Sequence, residues 1–302
     1  MAEPPPPTTP PRRPSPDVPP PPPGHWPLSA TAHGPGAPLP RSTSDRDRVR
    51  RGAGLGLSFG AIALYFAGQT VAQLLVGITL IAPGVLDPSS FDPEAGGVAL
   101  LAVASASQVF GLAAVLVLLR RRQVHLTPIV GPLRPLLRSV GVGTGLGLVT
   151  VVVSLTVVAV VAGITGQAEP ADQLLSGELL QGPAQLLLAV VIAVILAPVA
   201  EELLFRGLLH RSLRRRLTLA PATLLSSSAF ALVHANVVLS QPVALIGLVL
   251  AGAMMAIAYE RTGQLVVPIM MHAVYNAVTL LLLVLSAQFD PSLLPAVVQV
   301  GP

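Results

Sequence analysis

The stretch SVGVGTGLGLVTVVVSLTVVAVVAGI, residues 139–164, contains no charged side chain. As a helix rising 1.5 Å per residue it covers the roughly 30 Å of a bilayer's hydrocarbon layer, and a soluble core has no use for so long an uncharged run. Lipid also dictates the helix, because each backbone amide left unpaired among acyl chains costs several kcal/mol. Working outward, stretches 53–82 and 98–119 before it, and 184–205, 218–235, 242–259 and 265–286 after it, read the same way. The expected fold is an all-α polytopic membrane protein of about seven transmembrane helices, eight if the long first one breaks near Gly68.

Composition agrees. Of the 302 residues 52% are hydrophobic and only 11% charged, with a mean hydropathy of +0.72, whereas soluble domains carry about a quarter charged residues. Cys is absent, which excludes disulfides, thiolate metal sites and cysteine nucleophiles. The net charge of +4 would suit nucleic acid, but all 18 cationic residues are Arg, and their placement follows a membrane. If the N-terminus is cytosolic, Arg12 to Arg51, Arg120–Arg122 with Arg134 and Arg138, Arg206 to Arg216, and Arg261 all fall on the inner side. Asp87, Asp92, Glu94, Glu169, Asp172, Glu178 and Asp290 fall outside with no Arg among them. That is the positive-inside pattern, so the expected partner is a lipid bilayer and not nucleic acid. The expected location is the plasma membrane, multi-pass, and Arg used to the exclusion of Lys in an Ala-, Val- and Pro-rich chain suggests a bacterial source.

Four regions follow. Residues 1–51 form a Pro/Arg-rich cytosolic tail too poor in apolar surface to fold, with no apolar core for a signal peptide. It reads as a spacer, with a partner for the Pro-rich tail as the alternative. Residues 52–181 hold the N-terminal transmembrane helices, 182–286 a core carrying the polar residues, and 287–302 a C-terminal tail. The Gly-rich runs at 52–60 and 141–148 suit close helix contacts and are not phosphate loops, which need a soluble strand before them.

Ionisable groups inside spanning helices are costly and invite a functional reading. Glu201-Glu202-Leu203-Leu204-Phe205-Arg206 ends one apolar segment. Glu202 and Arg206, four apart, share a helix face and can pair, while Glu201 faces elsewhere. Phe230 to His234 lie on the next crossing after a polar turn Ser226-Ser227-Ser228, and His272 and Asn276 stand four apart in the last. Taken singly, these are helix-end charges, a packing histidine and interhelical hydrogen-bond glue. Together they are what hydrolysis in a bilayer requires: a carboxylate with imidazole help to polarise water, and an imidazole with an amide to donate to an oxyanion.

The ordered set EExxxR, FxxxH and HxxxN, here Glu201-Glu202-Arg206, Phe230-His234 and His272-Asn276, resembles the CPBP family of intramembrane proteases, also called the Abi or CAAX prenyl protease 2 family. The resemblance covers about 182–285 and implies an endopeptidase open to the cytosolic side. By carry-over, Glu201 is the water-activating base with His234 its partner. His272 and Asn276 are the oxyanion donors, and Glu202, Arg206 and Phe230 shape the site. The implied substrate is a membrane protein or lipidated peptide, with no commitment to prenylated chains. A zinc ion on Glu201, His234 and His272 is the alternative mechanism. HExxH spacing is absent, and a glutamate-dependent hydrolase without metal is favoured. A non-catalytic scaffold or immunity protein of the same fold is the rival function.

Counting depths from the helix ends leaves Glu201 near the inner surface and His234 far deeper. The two converge only if the Glu201 helix continues below the headgroups to about Arg216.

Overall fold

Long uncharged runs give long helices. The computed structural model describes residues 54–81, 93–132, 135–166, 182–234 and 242–288. Helices α1 (Leu55–Ile81), α2 (Pro93–Arg121), a single turn α3 (Thr127–Val130) and α4 (Leu136–Thr165) are followed by α5 (Pro183–Arg214), α6 (Leu219–Leu232), α7 (Pro242–Thr262) and α8 (Val266–Gln288). Prolines open α2, α5 and α7, where a missing N–H costs no hydrogen bond. The tail at 1–51, the outer-loop residues Asp87, Asp92, Glu169, Asp172, Glu178 and Asp290, and residues 289–302 lie outside the described residues.

Six of these helices are long and apolar enough to cross a bilayer. The seventh apolar stretch is shorter than its expected 218–235: α6 has 14 residues, about 21 Å at 1.5 Å per residue. The reason lies in α5. It runs unbroken for 32 residues to Arg214, about 48 Å, so its last turns extend past the hydrocarbon layer and α6 starts from that lower level. Two finer expectations are corrected. Ser226–Ser228 belong to α6 and form no turn, and α1 passes Gly68 without a break.

α5 is the central strut, touching α1, α2, α3, α6, α7 and α8. It is not uniformly α-helical. Wide turns closing on the fifth residue occupy Val191–Leu196 and Leu203–His210, a form that often marks functional positions. The first has a local cause, because Pro198 has no N–H to give, and the Ala197 N–H is taken by the Ile192 carbonyl. Ala193, which could use either donor, is left without one from its own helix.

The two glycine runs behave differently. In α4, a Cβ on Gly143 would stand 2.6 Å from the Met270 Cβ, and one on Gly147 would stand 2.9 Å from the Val274 Cβ. These glycines seat α8 directly against α4, as small residues do in membranes. Gly54, Gly56 and Gly60 meet nothing within 4 Å, so the 52–60 run is not a helix contact within this chain. At that end Ser58 hydrogen-bonds through its Oγ to Ser212 Oγ at 3.2 Å, tying the start of α1 to the end of α5.

Candidate active site

Glu202 and Arg206 lie one turn apart in α5 and are almost wholly buried, 0% and 1% exposed. A buried pair survives only where its remaining polar atoms are satisfied and its geometry is good. Arg206 Nη1 donates to Glu202 Oε1 at 2.8 Å, and Nη2 donates to the Gly252 carbonyl of α7 at 3.1 Å. Gly252 permits this approach, since a Cβ there would come within 3.2 Å of Nη2. The guanidinium also stands 4.6 Å above the Phe230 ring, a cation–π contact strengthened by desolvation.

The same Glu202 Oε1 receives His272 Nδ1 at 2.9 Å. A carboxylate only accepts, so Nδ1 carries the hydrogen and Nε2 is the nitrogen turned to the site. Its edge packs against Phe230, whose ring centroid lies 5.5 Å from that of His272 and 4.9 Å from that of His234. Phe230 is thus the apolar pivot between the arginine and the two imidazoles.

His234 lies just beyond α6, not on it, in the turn that follows Leu232. Its Nδ1 donates to the Phe230 carbonyl at 2.9 Å, one of the carbonyls a helix end leaves free. In the neutral ring this leaves a lone pair on Nε2. Glu201 Oε2 stands 3.9 Å from His234 Nε2 and 4.0 Å from His272 Nε2. It is buried and makes no hydrogen bond to the protein. The carboxylate and two ring nitrogens therefore converge from α5, the end of α6 and α8.

Asn276, one turn beyond His272, donates through Nδ2 to the Ala193 carbonyl at 2.7 Å. This is the carbonyl that Pro198 leaves orphaned. One amide hydrogen is spent on tying α8 to α5, and the second stays available.

A tetrahedral zinc with ligands at 2.0–2.2 Å holds its donor atoms about 3.3 Å apart. The 3.9 and 4.0 Å separations are wider, and among the described residues no group of three His, Asp or Glu is arranged to hold a metal. The side chains as placed do not fit the ion. Two atoms about 4 Å apart can each lie about 2.8 Å from one oxygen, which is the spacing of a bridging water.

Polar residues that the motif reading passed over also lie near this centre. Buried His210, one turn below Arg206, faces Ser226 Oγ at 3.2 Å and Glu260 Oε2 at 3.3 Å, while Arg214 Nε donates to Glu260 Oε1 at 2.8 Å. This cluster ties the inner end of α5 to α6 and α7. On the other side, Tyr65 of α1, fully buried, packs in the same core as Ala200, Leu204 and Phe230. His210 and Glu260 are 50 positions apart with no shared motif. Tyr65, Gln69 and Gln73, by contrast, recur every fourth residue in a spanning segment, a signal open to sequence reading.

Residues 183–278 match the family described as type II CAAX prenyl endopeptidase, Rce1-like. No curated protein and no solved structure matches the chain. The match spans all three motifs, in agreement with the resemblance they carry.

Proposed function

With residues 183–278 forming an Rce1-like protease domain in a multi-pass membrane protein, we propose that the chain is an intramembrane endopeptidase that works through Glu201. Glu201 and the Nε2 lone pair of His234 polarise a water, and its proton passes to the Glu201 carboxylate as the oxygen attacks the substrate carbonyl carbon. The negative oxygen that forms receives the N–H at His272 Nε2 and the second amide hydrogen of Asn276. Collapse of the tetrahedral species breaks the C–N bond, and Glu201 returns its proton to the leaving amine. Glu202, braced by Arg206, fixes the His272 ring and so its donor direction.

The observation that carries this reading is the unbonded Glu201 Oε2 within 4.0 Å of two imidazole nitrogens from different helices. A scaffold or immunity protein explains the Glu202–Arg206–His272 network as glue, but glue residues are bonded to the protein and this oxygen is not. The substrates are membrane proteins or lipidated peptides reached from the cytosolic side of a bacterial plasma membrane. The core at 182–286 performs the chemistry, the helices of 52–181 flank it, and the 1–51 tail serves as spacer or partner ligand. Membrane proteomes of cells carrying the wild type or Glu201→Gln test the reading. Peptides that lose a cleaved terminus only with Glu201→Gln are expected, and identical peptide sets would refute it.

A further inference from the structure

An extended substrate inside the hydrocarbon layer exposes backbone N–H and C=O groups that cost several kcal/mol each unless the enzyme bonds them. Polar partners are therefore needed beside the scissile bond as well as at it. Among the described residues of α1 and α2 one such run exists. Tyr65, Gln69 and Gln73 occupy one face of α1 at successive fourth positions. The Tyr65 hydroxyl donates to Gln108 Oε1 of α2, and Gln73 Nε2 donates to Ser107 Oγ at 3.3 Å. Gln69, between them and beside the Tyr65 hydroxyl, has a buried Nε2 with no hydrogen-bond partner. Simple helix glue accounts for Tyr65 and Gln73 but not for an amide donor left unsatisfied in the membrane, where such a group costs about as much as a lost hydrogen bond returns.

The register brings this donor level with the proposed base. Ser58 and Ser212 are in contact. From them α1 and α5 climb together, and Gln69 and Glu201 each lie eleven positions further on, 58 to 69 and 212 to 201. The Tyr65 hydroxyl is within electrostatic reach of the Glu201 carboxylate.

We propose that Tyr65, Gln69, Gln73 and Gln108 form a polar strip on which the substrate backbone lies beside Glu201, with Gln69 Nε2 donating to a substrate carbonyl. The strip rests on the endopeptidase reading and adds to it a binding site for extended polypeptide, in which Gln69 binds substrate and takes no part in bond cleavage.

The test uses the full chain in lipid nanodiscs and a pool of degenerate, internally quenched peptides, each bearing one S-farnesyl cysteine. Gln69→Leu is expected to raise KM about tenfold, the worth of one hydrogen bond to a desolvated partner, with kcat retained. Its thermal midpoint should hold or rise, because an unsatisfied buried amide has been replaced by an apolar group. An unchanged KM, or a lowered midpoint, overturns the strip and leaves the endopeptidase standing. Absence of cleavage by the wild type, matched by Glu201→Gln, overturns the endopeptidase reading and the strip with it.

Discussion

Glu202 Oε1 lies 2.9 Å from His272 Nδ1 and is shared with Arg206 Nη1 at 2.8 Å, whereas Oε2 of the adjacent Glu201 is bonded to nothing in the protein. Two neighbouring glutamates thus stand in opposite situations, one locked in a network and one held free.

Their substitutions should separate accordingly. Glu201→Gln is expected to lower cleavage by about 10²–10⁴-fold, the usual worth of a general base, with an almost unchanged thermal midpoint. Glu202→Leu strands the Arg206 guanidinium and should cost about 3–5 kcal/mol of stability. Glu202→Leu with Arg206→Met should recover most of that loss and still leave His272 unpositioned and cleavage low. Thermal unfolding and cleavage rate measured side by side decide it. Equal destabilisation by the two single variants contradicts the division of roles.

Asn276→Leu removes both an oxyanion donor and the cap on Ala193. A loss of about 1–3 kcal/mol in stability and about 10²–10³-fold in kcat is expected. In a Pro198→Ala background the helix regains an N–H near Ala193, so the stability penalty of Asn276→Leu should shrink while the catalytic penalty persists. A double-mutant cycle measures that coupling. Independent, additive stability effects would disconnect the asparagine from the proline.

Chelation is a third test. The Glu201, His234 and His272 donor atoms stand too far apart for tetrahedral zinc, so cleavage should survive prolonged exposure to EDTA or 1,10-phenanthroline. Inhibition reversed by added zinc would show that the side chains rearrange around an ion.

Gly147→Leu touches none of the proposed catalytic groups. Its side chain would enter space already held by Val274 Cβ at 2.9 Å and Met271 Cα at 3.1 Å, pushing α8 and with it His272 and Asn276 away from α5. Overpacking of this kind costs about 1–3 kcal/mol, and kcat should fall with it. The same substitution at Gly145, where a Cβ meets nothing, should leave both unchanged and serves as the control.

Much of this was legible from residue order because lipid leaves the chain few choices. Apolar runs announced their helices to within a few residues, and the arginines announced an α5 that outruns the membrane. The three motifs pointed to the residues that meet. What stayed hidden depends on backbone detail and on pairs distant in sequence. A proline in an apolar run announces a disturbance, but not that Ala193 would be the carbonyl orphaned or Asn276 the side chain that caps it. His234 looked helical because its apolar neighbours are, yet the helix stops at Leu232 and frees the Phe230 carbonyl that orients the ring. The glycines of 52–60 and 141–148 read alike, and only the path of α8 shows that the second run is the one used.

The shortness of α6 has an effect on the lipid itself. A cylinder about 21 Å tall cannot match a hydrocarbon slab about 30 Å thick, and bilayers answer such a mismatch by thinning around the short element, at a fraction of a kcal/mol per Å. Headgroups and their hydration dip toward His234 along that flank. A bulk-water reservoir, and a protein tail lying at the interface, are thereby brought nearer to the carboxylate than its sequence depth suggests. The membrane's own deformation becomes part of the route by which reactants arrive.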